Sequence, residues 1–335
     1  MAVDLALVWA FLIAFAVFAY VVLDGFDLGV GLLFPLLADR RDRDMAMNSV
    51  APVWDGNETW LVLGGGGLLA VFPLAYAVIL TALYAPVTAM LVGLILRGVA
   101  FEFRWKANER NQRIWDVAFT GGSLLAALSQ GIMLGALVQG IAVSGRAYAG
   151  GWLDWLTPFS VMTGVALAIG YALLGAGWLA LKTEGALRER ALELARLLAF
   201  AMIGSIAVVS LWTPFLNPEF LARWLSWPSI VFVAPVPVMT ALVAWRLLAA
   251  IEARRDLAPF LLTLLLFLLC YAGLGISLYP NIVPPGITIW DAAAPDNSLA
   301  FLLVGALVLI PAILAYTAYS YWVFRGKVDP DGGYH

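Results

Sequence analysis

Residues 5–37 read LALVWAFLIAFAVFAYVVLDGFDLGVGLLFPLL, one apolar run broken near its end by Asp24-Gly25-Phe26-Asp27. A helix crosses a bilayer core with about 20 apolar residues, so this run is long enough to span. It is too long for a cleavable signal and has no basic region ahead of it, so it reads as a permanent span. Carboxylates at membrane depth are costly, usually face protein or water, and mark functional sites. The next apolar run opens with Trp54-Asp55-Gly56-Asn57-Glu58-Thr59-Trp60 and adds two more acids. Four carboxylates on two consecutive spans point to something small and positive, a proton or a metal cation.

The same composition extends over the whole chain. Of 335 residues, 63% are hydrophobic and only 12% charged, and the mean hydropathy is +0.92. That excludes a soluble domain and predicts an all-α polytopic membrane protein, a single integral membrane domain over 1–335. Nine spans are predicted, at 5–37, 50–72, 74–100, 114–141, 156–181, 193–213, 227–249, 258–279 and 299–324. A faint match of Tyr20–Gly29 with Tyr171–Ala180 raises a pseudo-repeat of 1–141 and 156–279, with 299–324 as an extra helix. The architecture would then be two four-helix bundles plus one peripheral helix.

Basic residues fix the expected orientation. Seventeen of the nineteen fall after spans one, three, five and seven or in the C-terminal tail, and only Arg146 and Arg223 fall in the alternate segments. The positive-inside rule then puts the N-terminus outside and the C-terminus in the cytoplasm. A net charge of −3 gives no reason to expect a nucleic-acid partner. The one cysteine, Cys270, excludes an internal disulfide, and the one histidine, His335, ends the chain. No histidine is therefore available at membrane depth for a haem or copper site. Residues 101–113 read as a solvated helix end, and the Pro-rich 280–298 as an extended outer loop.

At 1.5 Å rise per residue, Asp24 and Asp27 lie about 29 and 33 Å along the first span, near its inner boundary. Asp55 and Glu58 lie about 8 and 12 Å into the second span from the same side and, at i and i+3, share a face. Arg97 and Glu102 return to that side on the third span. Together these six residues grade from one surface toward mid-bilayer, the layout of a one-sided proton inlet, where Asp55 or Glu58 can exchange protons. A structural reading stands beside it. Asp24 and Asp27 can pair with Arg40 or Arg41 or cap a helix, Asp55 can bond backbone freed by Pro52 and Gly56, and Glu58 can pair with Arg97. The glycines at 25, 29, 31 and 64–67 read as close helix packing. Trp152, Trp155, Trp224, Trp227, Tyr319, Tyr321 and Trp322 read as interface anchors. Gln130 and Gln139 read as interhelical hydrogen-bonders.

These segments also resemble a known family. DGFDLGVG at 24–31, NSVAPVWDGNETWLV at 48–62, FPLAYA at 72–77, RGVAFEFR at 97–104, QGIMLGA at 130–136 and TIWDAAAPDNSL at 288–299 are similar to subunit II of cytochrome bd-type quinol oxidases. The compact length and Gly333-Tyr334-His335 end resemble the cyanide-insensitive branch. The resemblance implies that this chain binds no cofactor. It implies a haem-bearing subunit I partner with two b-type haems, one d-type haem and the quinol site, in a bacterial cytoplasmic membrane. A small single-span third subunit and a lipid or quinol contact stay open. It further implies that the complex oxidises quinol and reduces O2 to water, with subunit II stabilising its partner and supplying a cytoplasmic proton path. The family's path residues fall on Asp27, Trp54, Asp55, Arg97 and Glu102. Glu102 stands where relatives carry Asp, and Glu58 where many carry a neutral side chain. Two other classes remain at this stage: a proton-coupled secondary transporter and a purely structural membrane subunit. The one-sided placement of the acids argues against the transporter.

Overall fold

Backbone polar groups have no water partner in lipid, so apolar runs of this length must close their hydrogen bonds as helices. The computed structural model describes residues 4–37 and 39–329. In chain order the helices are α1 Leu5–Leu33, α2 Arg40–Val50, α3 Trp54–Val71, α4 Pro73–Ala82, α5 Tyr84–Lys106, α6 Glu109–Gln139 and α7 Pro158–Lys182. There follow α8 Gly185–Trp212, α9 Pro218–Leu225, α10 Ser229–Val233, α11 Pro235–Glu252, α12 Leu257–Leu278, α13 Ile289–Ala292 and α14 Asp296–Val323. Two short antiparallel hairpins pair Val143–Ser144 with Ala147–Tyr148 and Asn281–Val283 with Ile287–Thr288. The protein is an all-α polytopic membrane protein. Among the described residues eight helical segments are long and apolar enough to cross, and α3 with α4 forms a ninth only as a bent pair.

That bend corrects the predicted second and third spans. The chain turns by 119° between α3 and α4. Phe72 leaves the helical region at φ −125°, ψ 62°, and Pro73 follows as the first residue of α4. A residue before proline is pushed out of the α region, and proline suits a helix start. The third span therefore begins at Tyr84, not at residue 74. The helix end expected at 101–113 is present, and one further expectation changes. Residues 101–113 are almost wholly helical, shared between α5 and α6, with Asn108 capping α6 by accepting from the Asn111 amide at 3.1 Å. Residues 40–50, expected as a connection, form α2. The Gly333-Tyr334-His335 end lies outside the described residues.

Close packing centres on α1 and α7. A Cβ on Gly29 would sit 1.8 Å from the Tyr171 carbonyl oxygen, and one on Gly175 would sit 2.4 Å from the Gly29 carbonyl carbon. Only glycine at both positions lets the two backbones touch. Gly93 and Gly122 do the same for α5 and α6. The run at 64–67 departs from the packing expectation: Gly64 and Gly67 face Val17 and Ile13 of α1, but a Cβ on Gly65 or Gly66 meets nothing within 4 Å.

The basic end is stitched by ion pairs. Buried Arg104 joins α5 to Asp44 of α2 and Asp116 of α6, at 2.6 Å each, and Arg43 adds a second bond to Asp116 at 3.3 Å. Asp256, just before α12, receives Lys327 at 2.9 Å and Arg188 at 2.7 Å. Lys327 also donates to the Thr183 carbonyl at 3.0 Å, so the C-terminal segment is tied to the end of α7 and the start of α12. The Lys327 bond, then the Arg188 bond, hold the Asp256 carboxyl below its ordinary range against the effect of burial. A depressed carboxyl contributes stability that is complete above its unfolded value, about 3.9, and lost as pH falls through the folded one. The tie should therefore be unchanged from neutral pH down to about 4 and loosen only below it. Asp256→Asn should mimic acid at neutral pH and speed tryptic cleavage after Lys327. Unchanged cleavage would mean that backbone bonds alone hold the segment.

Candidate functional site

Three helices meet at Arg97. The Gly93–Gly122 approach sets α5 against α6, and α1 packs against α3, so Arg97 is enclosed with no exposed side-chain surface. Its Nη1 donates to Asp24 Oδ1 of α1 at 2.5 Å, and its Nη2 donates to Glu58 Oε1 of α3. Glu58 keeps 27% of its side chain exposed, so it forms the outer edge of the cluster. Trp54 lies 6.0 Å from the guanidinium carbon and stacks on Phe101 at 4.8 Å, closing another side.

Asp27 sits at i+3 from Asp24 and faces the same side of α1. It is fully buried, and among the described residues it has no ion-pair partner. Asn57 serves it instead, donating from Nδ2 to Asp27 Oδ2 at 2.7 Å and to the Leu23 carbonyl at 3.2 Å. Tyr321 of α14 donates its hydroxyl hydrogen to Asn57 Oδ1 at 2.9 Å. Asp27 Oδ1, Asp24 Oδ2 and Arg97 Nε have no protein hydrogen-bond partner. A second polar line leaves the cluster toward α6 and α7. Tyr20, one turn before Asp24, interacts with it electrostatically. Its hydroxyl accepts from Gln130 Nε2 at 2.8 Å, and Gln130 Oε1 accepts from Tyr171 at 2.6 Å.

One guanidinium cannot neutralise three carboxylates, and an uncompensated interior charge is costly. Such a cluster is suited to holding a proton as well as a charge. A metal fits poorly, because Arg97 already occupies the cationic position. No group of three or more His, Cys, Asp and Glu placed to hold a metal occurs among the described residues.

Of the residues singled out from sequence, the structure brings together Asp24, Asp27, Trp54, Glu58 and Arg97. Asp24 pairs with Arg97, not with Arg40 or Arg41 as the structural reading had it, because the i+73 partner lies on the neighbouring span. The Glu58–Arg97 pair is present as anticipated. Asp55 and Glu102 lie exposed on the surface of this chain, outside the buried cluster. Asp55 shares the Glu58 side of α3, but Glu58 already marks the partly open edge and Asp55 lies beyond it. Gln130 and Gln139 do bond between elements, Gln139 accepting from Thr157 Oγ1 at 2.5 Å. Tyr321 is no interface anchor; it is part of the Asp27 network. Asn57 and Tyr321 were not singled out as site residues. A signal for Tyr321 exists: Thr317, Ser320 and Tyr321 form a hydroxyl stripe at i, i+3 and i+4 in the last turns of a mostly apolar helix.

Fold and site together define a polytopic helical membrane subunit with a salt-bridged carboxylate cluster buried near its basic end. Residues 5–324 match the family model for cytochrome bd terminal oxidase subunit II, and the chain belongs to that family. It is 30% identical over 366 residues to the cytochrome bd-I ubiquinol oxidase subunit 2 of Escherichia coli K12, covering 98% of this chain and 96% of the relative. It is 28% identical over 332 residues to the cytochrome bd ubiquinol oxidase subunit 2 of Bacillus subtilis, covering 96% of each. A chain of the bd oxidase structure from Geobacillus thermodenitrificans superimposes with a TM-score of 0.78 at 20% identity, over 96% of this chain and 97% of that one. At that identity the likeness shows the fold.

Proposed function

We propose that this chain is the haem-free subunit II of a terminal quinol oxidase in a bacterial cytoplasmic membrane, stabilising subunit I and bringing protons toward the site of O2 reduction. Family membership and the names of the Escherichia coli and Bacillus subtilis relatives support the oxidase part. In this reading two b-type haems, a d-type haem and the quinol site belong to subunit I, and this chain is not catalytic by itself. The distribution of basic residues supports an outside N-terminus and a cytoplasmic C-terminus. The basic end that carries Arg43, Arg104, Arg188 and Lys327 then faces the proton supply.

One observation carries the proton path: three carboxylates and a single guanidinium share one buried cluster near that end. Asp24 and Glu58 are tied to Arg97, with Trp54 packed beside it. Asp27 has only a neutral amide, so it is the carboxyl that takes a proton and passes it on. Exposed Asp55 and Glu102 serve as surface collectors. The pseudo-repeat of 1–141 and 156–279 belongs to the same proposal, supported by Tyr20 and Tyr171, equivalent in it, meeting on Gln130. A purely structural role is favoured by one observation, the Asp24–Arg97–Glu58 pairing, and it is assigned to those three residues only. Asp27→Asn in the purified complex separates the roles: slowed quinol-dependent O2 uptake with unchanged haem spectra supports the path, and lost haem supports a brace.

A further inference from the structure

Where α3 meets α14 there is a cavity of about 20 Å³ that the cluster itself does not use. Gly56 and Asn57 line it from α3, and Tyr316, Thr317, Ser320 and Tyr321 line it from α14. A water needs roughly 10–15 Å³ and two to four polar partners, and four hydroxyl-bearing residues and an asparagine line this space. The cavity lies at the basic end, beside the start of α3 and the last turns of α14. Asn57 borders the cavity and also bonds Asp27, so one side chain stands between the two. Beyond it, Asp27 Oδ1 is buried and without a protein partner.

We propose that this cavity is the water-filled entry through which protons reach Asp27, with Asn57 as its gate and Tyr321 as the residue that positions the gate. The proposal rests on the proton-uptake reading above and adds the route inward from the surface to Asp27. Tyr321 donates to the amide oxygen and so turns the amide nitrogen toward Asp27. When the amide swings aside, a hydronium ion in the cavity meets the carboxylate. One O–H bond of hydronium breaks, one forms on Asp27, and neutral water stays behind. The titratable and charged groups facing Asp27 are Asp24 on α1, Glu58 on α3, Arg97 on α5 and Tyr321 on α14.

Gly56 permits a direct test. A Cβ there meets only Tyr316 Cε1, at 3.7 Å, which is ordinary contact. The position therefore tolerates a side chain at its first atom, and Gly56→Leu extends into the cavity and fills it. In the purified complex Gly56→Leu should slow quinol-dependent O2 uptake about tenfold at neutral pH, with unchanged haem spectra and recovery at lower pH, where hydronium is more abundant. Full turnover in Gly56→Leu, or a loss that lower pH does not relieve, would overturn the entry. If Gly56→Leu does not assemble, Tyr321→Phe keeps the ring packed near Phe26 and Trp178 and removes only the hydroxyl. Slowed uptake relieved at lower pH again supports the entry, and a wild-type pH profile overturns it. Asp27→Asn is measured alongside. If it is slow while the cavity variants are fast, only this entry fails; if it too is fast, the proton-uptake reading itself fails.

Discussion

Arg97→Leu should strongly destabilise the folded chain, not merely slow its complex. The substitution leaves Asp24 buried and Glu58 at the partly open edge beside it with no cation between them. Removing one partner of a buried ion pair costs about 3–5 kcal/mol, against a net stability of roughly 5–15 kcal/mol for a typical protein. Arg97→Lys keeps the charge but not the fork that serves two carboxylates at once, so it should recover only part of the loss. The check is the thermal midpoint and the size-exclusion profile of the detergent-solubilised protein. Adding Asp24→Asn and Glu58→Gln to Arg97→Leu should restore part of the midpoint, because the uncompensated charge is then gone. Absence of any rescue would assign the loss to packing instead.

A smaller but still large effect is expected from one methyl group at Gly29. The Tyr171 carbonyl oxygen would lie 1.8 Å from the new Cβ, and the Gly175 amide nitrogen 2.8 Å. Both are backbone atoms of α7 and cannot turn away as a side-chain tip would. Overpacking in a closed core costs typically about 1–3 kcal/mol, and here it separates the two most buried helices. Asp24 and Asp27 ride on α1, so the cluster should be displaced with it. Gly204→Ala on α8 is the control: its Cβ meets nothing within 4 Å, and the helix should be neutral or slightly stabilised. Equal midpoints for the two variants would mean that the α1–α7 contact is not a determinant of stability.

Long apolar runs and alternating basic segments made the helix count legible, because length and charge are local properties of the chain. The break at Phe72 was hidden since the runs on both sides are equally apolar; only Pro73 hints at it. Helix α2 was hidden for the opposite reason: its sequence is polar and reads as a connection, and its hold on the protein comes from Arg104 and Asp116, both distant in sequence. The acids of α1 and α3 were visible as charges in lipid. Asn57 is neutral and drew no attention, although it is the direct partner of Asp27. Tyr321 lies 264 positions from Asn57, and aromatic residues near span ends are ordinarily anchors. Exposure of Asp55 and Glu102 was out of reach because helical spacing gives a face, not what covers it.

The central claim is that Asp27 carries protons while Arg97 holds the cluster together, and the decisive measurement is proton uptake by the purified complex in vesicles. Quinol would be supplied and uptake from the side of the basic residues followed with a pH indicator during a single turnover. Wild type and Asp27→Asn would be compared at equal haem content. The account predicts that Asp27→Asn binds O2 normally, shows unaltered haem spectra, and takes up protons about tenfold or more slowly. Wild-type uptake kinetics in Asp27→Asn would contradict it and leave the buried cluster as a structural brace.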